Sequence, residues 1–187
     1  MNALRKLTGL IDRLNDRIGA SIRWLTLLMV VIGSVNAIVR YFARSQRWSL
    51  NLTPAMEAQW YLFSIIFLMG AAYGLNHDVH VRVDVVYERL TAKGRAWIDL
   101  VGTLLFLVPF SLLMLYVSYP AVRASWAVRE VSPDPGGLPR YPIKALILVS
   151  FVLLLLQAIS QLVKQIDVIR GTTPEPDLPD GESEAHV

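Results

Sequence analysis

The chain has 187 residues, 54% of them hydrophobic, no cysteine and a formal net charge of +3, with a mean hydropathy of +0.45. A soluble domain is typically about 45–50% apolar, so the composition points away from a soluble fold, and the absence of cysteine excludes disulfides, thiolate metal centres and cysteine nucleophiles. The basic residues flank apolar runs instead of gathering on one polar face, which reads as membrane topology and not as a nucleic-acid footprint.

Four apolar runs of roughly 20 residues are each long enough to cross about 30 Å of hydrocarbon. They predict an all-α integral membrane protein with four transmembrane helices, an N-terminal amphipathic interfacial helix and both ends in the cytoplasm. In residues 1–18, Leu4, Leu7, Leu10, Ile11, Leu14 and Ile18 recur at helical spacing, with Arg5, Lys6, Asp12, Arg13, Asp16 and Arg17 between them. This pattern predicts a helix lying on the membrane surface. Its mixed charge and the lack of a small-x-small site set it apart from a cleavable signal peptide.

The membrane domain, 19–163, opens with a span over 19–43, with Trp24 and Tyr41 suited to opposite interfaces. Thr53 suits an N-cap and Pro54 the first helical position, which starts a second span over 55–76. Val79, Val81, Val83 and Val85 then alternate, but a lone strand beside lipid leaves its backbone unpaired. A short extended piece and an interfacial helix presenting Val83, Val86, Tyr87 and Leu90 are expected instead. The third span, 96–119, contains Pro109, which should kink it, and closes at Tyr119 and Pro120. A loop rich in Pro and Gly, 132–142, leads to the fourth span, 143–163. Residues 164–187 form a cytoplasmic tail, disordered from about 171, where prolines and carboxylates dominate. With the N-terminus inside, eleven of the 18 basic residues fall on the cytoplasmic side, the sign that the positive-inside rule requires.

Few polar residues could carry chemistry. Arg40 closes the first span and Glu57 opens the second at the same depth, so they could pair, or each could snorkel to the outer interface. His77, Asp78, His80, Arg82 and Asp84 form the densest polar cluster; their irregular spacing suits electrostatic anchoring to a partner helix or to lipid head groups better than a metal site. No histidine lies within a span, which disfavours haem, and Ser64, Thr103 and Ser111 have no histidine at their depth to activate them. Gln157 and Gln161 make one stripe that either bonds across a helix interface or faces water. Gly70, Ala71, Ala72 and Gly74 permit close helix approach. Catalytic, cofactor-binding and metal-binding residues are therefore expected to be absent; Arg40, Glu57, His80, Arg82 and Asp84 are the candidates for intersubunit or structural roles.

Arg40-Tyr41-Phe42, Glu57, Gly70-Ala71-Ala72, His80-Val81-Arg82-Val83-Asp84 and Glu88-Arg89-Leu90 together resemble the small permease subunit (DctQ-type) of tripartite ATP-independent periplasmic (TRAP) transporters, over about residues 20–165. The run Gly136-Gly137-Leu138-Pro139-Arg140-Tyr141-Pro142-Ile143-Lys144 is similar to the branch linked to 2-oxo acids, mannitol or chloroaromatic compounds. Met56 stands where many members carry a second carboxylate, and Asp78-Val79 where a glycine pair is common. The resemblance implies a small scaffold subunit in the bacterial inner membrane, without a substrate site or cofactor of its own. Its implied partners are a large membrane subunit, which binds sodium and solute, and a periplasmic substrate-binding protein; membrane lipids surround it and nucleic acid has no part. The competing classes are a small membrane redox or lipid-modifying enzyme and a self-assembling structural membrane protein.

Overall fold

A computed structural model describes residues 2–46, 49–77 and 90–171. Helix α1 covers Asn2–Gln46 and α2 covers Thr53–Asn76. Helix α3, Ala92–Gly102, runs through a π turn, Thr103–Leu107, directly into α4, Val108–Ala127. Helix α5 covers Tyr141–Ile169. Among the described residues there are four helical stretches long and apolar enough to cross a membrane: Leu4–Gln46, Thr53–Asn76, Ala92–Ala127 and Tyr141–Ile169.

The boundaries differ from those expected in four places. The amphipathic segment 1–18 is helical but is continuous with the first span, because no proline or glycine pair interrupts the chain between Ile18 and Ala20. The third span runs past Pro120 to Ala127, as proline is tolerated inside a membrane helix where neighbouring groups satisfy the freed carbonyl. At Pro109 the disruption takes the form of the π turn, whose wider ring lets the Val108 N–H reach the Thr103 carbonyl directly ahead of a residue with no N–H to give. Finally, α5 continues to Ile169, so the helix runs six residues beyond the expected end of the fourth span, into the segment expected as the tail. The valine alternation, the interfacial helix after it and the tail from 172 lie outside the described residues.

Helix α2 begins at Pro54's turn as expected, but Leu52 occupies the cap position and offers no side-chain bond. Asn51 supplies it instead, its Oδ1 accepting from the Thr53 N–H at 3.1 Å. Helix α3 is capped by Thr91, whose hydroxyl accepts from the Gly94 N–H at 3.2 Å.

Helix α5 is the centre of the molecule. It packs against α1 and α2 on one side and against α3 and α4 on the other, while α1 and α2 also pack on each other. Its buried positions are Leu153 and four small or polar residues, Ser150, Gln157, Ala158 and Ser160, which let helices approach where apolar burial alone supplies little drive. The Ser150 hydroxyl donates across to the Leu68 carbonyl of α2 at 2.6 Å. Large apolar side chains face outward, including Trp60, Phe67, Phe106 and Tyr116, as suits a surface covered by lipid or protein.

Helices α1 and α2 approach closely at Gly19, where a Cβ would lie 2.2 Å from the Tyr73 ring. That ring is itself backed by His77, with centroids 4.4 Å apart. Gly19→Ala should therefore lower the thermal stability of the purified chain, because overpacking of about 1–3 kcal/mol outweighs the helix-propensity gain of about 1 kcal/mol. Combining it with Tyr73→Ala should reverse the sign of the glycine substitution; a stabilising Gly19→Ala in the wild-type background would contradict the close approach.

Candidate functional site

Two polar clusters occupy opposite ends of the bundle. The first lies at the end that holds both the start of α1 and the end of α5, and it is centred on Gln157, which is fully buried. Its Oε1 accepts from Asn15 Nδ2 at 2.6 Å, and its Nε2 donates to Asp12 Oδ1 at 3.1 Å and to Asn76 Oδ1 at 2.8 Å. One amide thus ties α5 to both α1 and α2. Around it, Ser160 donates to Asp12 at 2.9 Å, Lys164 pairs with Asp12 at 2.9 Å and Gln161 donates to the Leu75 carbonyl at 3.0 Å. Asn76 and His77 both meet Asp16 Oδ1, at 3.1 and 2.9 Å. Arg5 pairs with Asp167 at 2.9 Å. The face of α1 turned inward is the polar one, with Thr8, Ile11 and Asn15 buried, while Leu7, Leu10 and Leu14 are exposed.

At the other end the segment between α4 and α5 folds back over the start of α2. Glu57 accepts from the Ser132 hydroxyl and from the Leu138 N–H at 2.5 Å. The Arg140 guanidinium donates to the same hydroxyl at 3.3 Å. Tyr61 donates to the Pro139 carbonyl at 3.1 Å, and Asn51 to the Pro135 carbonyl at 2.9 Å. The turn needs Gly136, whose φ of +76° is left-handed and whose Cβ would lie 2.6 Å from Asn51. An isolated bridge joins Val131 and Pro139.

Glu130 closes this loop by pairing with Lys144. The Lys144 ammonium holds the Glu130 carboxyl below the usual carboxylate range. A folded value below the unfolded one means that the stabilisation is complete above the ordinary carboxylate pKa and is lost as pH falls through the lowered folded value. Amide exchange in 128–140 should accordingly keep its intrinsic pH dependence from pH 7 to 5 and gain excess opening only in more acidic solution. Excess opening already at pH 6 would contradict the pairing.

Of the residues singled out in the sequence, Glu57 is held by the returning loop. Arg40 is exposed, and among the described residues no ion pair joins it to Glu57. His80, Arg82 and Asp84 lie outside the described residues. Gln157 and Gln161 take the helix-bonding alternative and not the water-facing one. Asp12, Asn15, Asn76, Ser160 and Lys164 were not anticipated as a unit; the available signal was that Thr8, Asn15 and Asp12 share the face opposite Leu7, Leu10 and Leu14. Among the described residues, no group of three His, Asp or Glu is placed to hold a metal ion. Chemically, both clusters are clamps: each joins elements distant in sequence through hydrogen bonds, the first tying α5 to α1 and α2 and the second tying the 128–140 segment to α2.

The family model described as "Tripartite ATP-independent periplasmic transporters, DctQ component" matches residues 29–168. No curated protein and no solved structure matches the chain.

Proposed function

This chain belongs to the DctQ component family of tripartite ATP-independent periplasmic transporters, and on that premise we propose that it is the static scaffold of a sodium-coupled importer of a small organic acid or related solute. The family works with a large membrane subunit and a substrate-binding protein. In this reading the large subunit binds solute and sodium and moves, while this chain stays fixed beside it in a bacterial inner membrane, with both termini cytoplasmic. It performs no reaction. The observation that supports the reading best is the way the polar side chains are used. Gln157, Asn15 and Ser160 are fully buried at one end, Glu57 is engaged by a loop at the other, and both sets bond within the chain. A carrier with its own solute site keeps convergent polar groups near the midplane.

Arg40 and the His80, Arg82 and Asp84 segment are the proposed contacts to the large subunit. The loop 128–140, held rigid over α2, is the proposed contact to the binding protein. The first turns of α1 brace α5 of their own chain through Asn15 and Arg5. Co-expression with the large subunit encoded beside it should yield one complex of the two chains after affinity purification in mild detergent. Recovery of this chain alone, as a homo-oligomer, would overturn the reading.

A further inference from the structure

Among the described residues, no side chain bonds to those of Lys6, Arg13 or Arg17 on the outward face of the first five turns of α1, and that face carries a regular pattern. At 100° per residue, Lys6, Arg13 and Arg17 fall on the same face as Leu7, Leu10 and Leu14, opposite the buried Thr8 and Asn15. The three leucines are 50%, 66% and 45% exposed. The two carboxylates nearby in sequence are directed elsewhere, Asp12 to Lys164 and Ser160, and Asp16 to His77 and Asn76. Arg5 gives its Nε to Asp167.

Two hollows follow one another along this face. The first is lined by Arg5, Lys6, Gly9, Leu10 and Arg13. It opens at Gly9, where nothing lies within 4 Å of a built Cβ. The second begins at Arg17 and is almost wholly apolar beyond it, a groove of about 270 Å³ between α1 and α2 lined by Ile18, Ile22, Leu25, Ile65 and Met69 with Ser21 the one polar residue. A cationic notch leading into an aliphatic groove is complementary to one kind of molecule, an anionic head group on an acyl chain.

We propose that this face binds an anionic phospholipid of the leaflet next to the N-terminus. The phosphate sits between Arg13 and Arg17, one turn apart, with Lys6 adding positive charge nearer the N-terminus, and one acyl chain follows the groove past Ile22 and Met69. The leucines then rest in the interfacial layer, where an apolar stripe edged with cations is stable. The length of α1 allows this, since 45 residues at about 1.5 Å per residue exceed the about 30 Å of hydrocarbon, so a helix that spans it has turns to spare for the head-group layer.

The test uses the purified full chain in a neutral detergent, titrated with phosphatidylglycerol or phosphatidylcholine of the same acyl chains and examined by native mass spectrometry. Phosphatidylglycerol should bind at least about tenfold more tightly than phosphatidylcholine, each neutralised cation being worth about fivefold. Lys6→Gln/Arg13→Gln/Arg17→Gln should abolish that preference while leaving the melting temperature unchanged. Ile22→Trp, which fills the groove, should weaken both lipids. Arg123→Gln, on α4, serves as the control and should change neither. Equal binding of the two lipids, an unchanged preference in the triple variant, or displacement of phosphatidylglycerol by millimolar inorganic phosphate would each overturn the proposal. So would its exclusion from the complex with the large subunit, which would assign the face to that protein.

Discussion

Replacing Gln157 with leucine is expected to destabilise the bundle by about 2–3 kcal/mol, more than any exposed substitution in α5. Gln157 is fully buried and bonds α1 and α2 at once. Leucine would remove the acceptor of the Asn15 amide, whose own Oδ1 already lacks a partner, so a fully buried side chain would lose its last bond. A buried polar group left unpaired costs about 1–3 kcal/mol. Asp12 and Asn76 suffer less, because Ser160 and Lys164 remain to them. Single bonds between membrane helices average only about 0.6 kcal/mol, so most of the effect should come from stranding Asn15. Asn15→Leu/Gln157→Leu should then be more stable than the sum of the two single changes, since both partners become apolar together. Additive losses by thermal unfolding in detergent would show that Gln157 does not act through Asn15.

Glu57→Ala should release the loop at the other end. Its carboxylate is the acceptor for the Ser132 hydroxyl and the Leu138 N–H, and hydrogen bonds to a charged acceptor are stronger than neutral ones. Cleavage or hydrogen exchange in 128–140 should rise several-fold, while α1 and α5 keep their protection. Glu57→Gln should fall between, as an amide retains one acceptor. Arg40→Ala should leave the loop untouched, and Arg40→Ala/Glu57→Ala should match Glu57→Ala alone. Exposure of the loop in Arg40→Ala would restore an Arg40–Glu57 pair as the organising contact.

The elements were legible to the extent that local chemistry sets them. Pro54 placed the start of α2, and apolar length indicated four spanning stretches. What escaped was set by neighbours. Pro120 looks like a stop in isolation, yet α4 passes through it. The composition changes sharply near Ile18, but composition does not break a helix, and α1 continues.

The candidate site was half legible for the same reason. Glu57 stood out as a lone carboxylate at a span's start, but its partners Ser132 and Leu138 lie more than seventy positions away in sequence and are delivered by a loop whose path depends on Gly136. Gln157 was visible as one half of a stripe. Its partners on α1 were hidden because Leu7, Leu10 and Leu14 suggested a helix lying on the membrane surface, whereas the face that carries Asp12 and Asn15 meets α5.

The measurement that bears most directly on the scaffold role is solute uptake by proteoliposomes assembled with each combination of the three components. Sodium-driven uptake should require this chain, the large subunit and the binding protein together, and this chain alone should neither bind nor pass the solute. Full uptake by the large subunit and binding protein without this chain, or solute flux through this chain alone, would contradict the account.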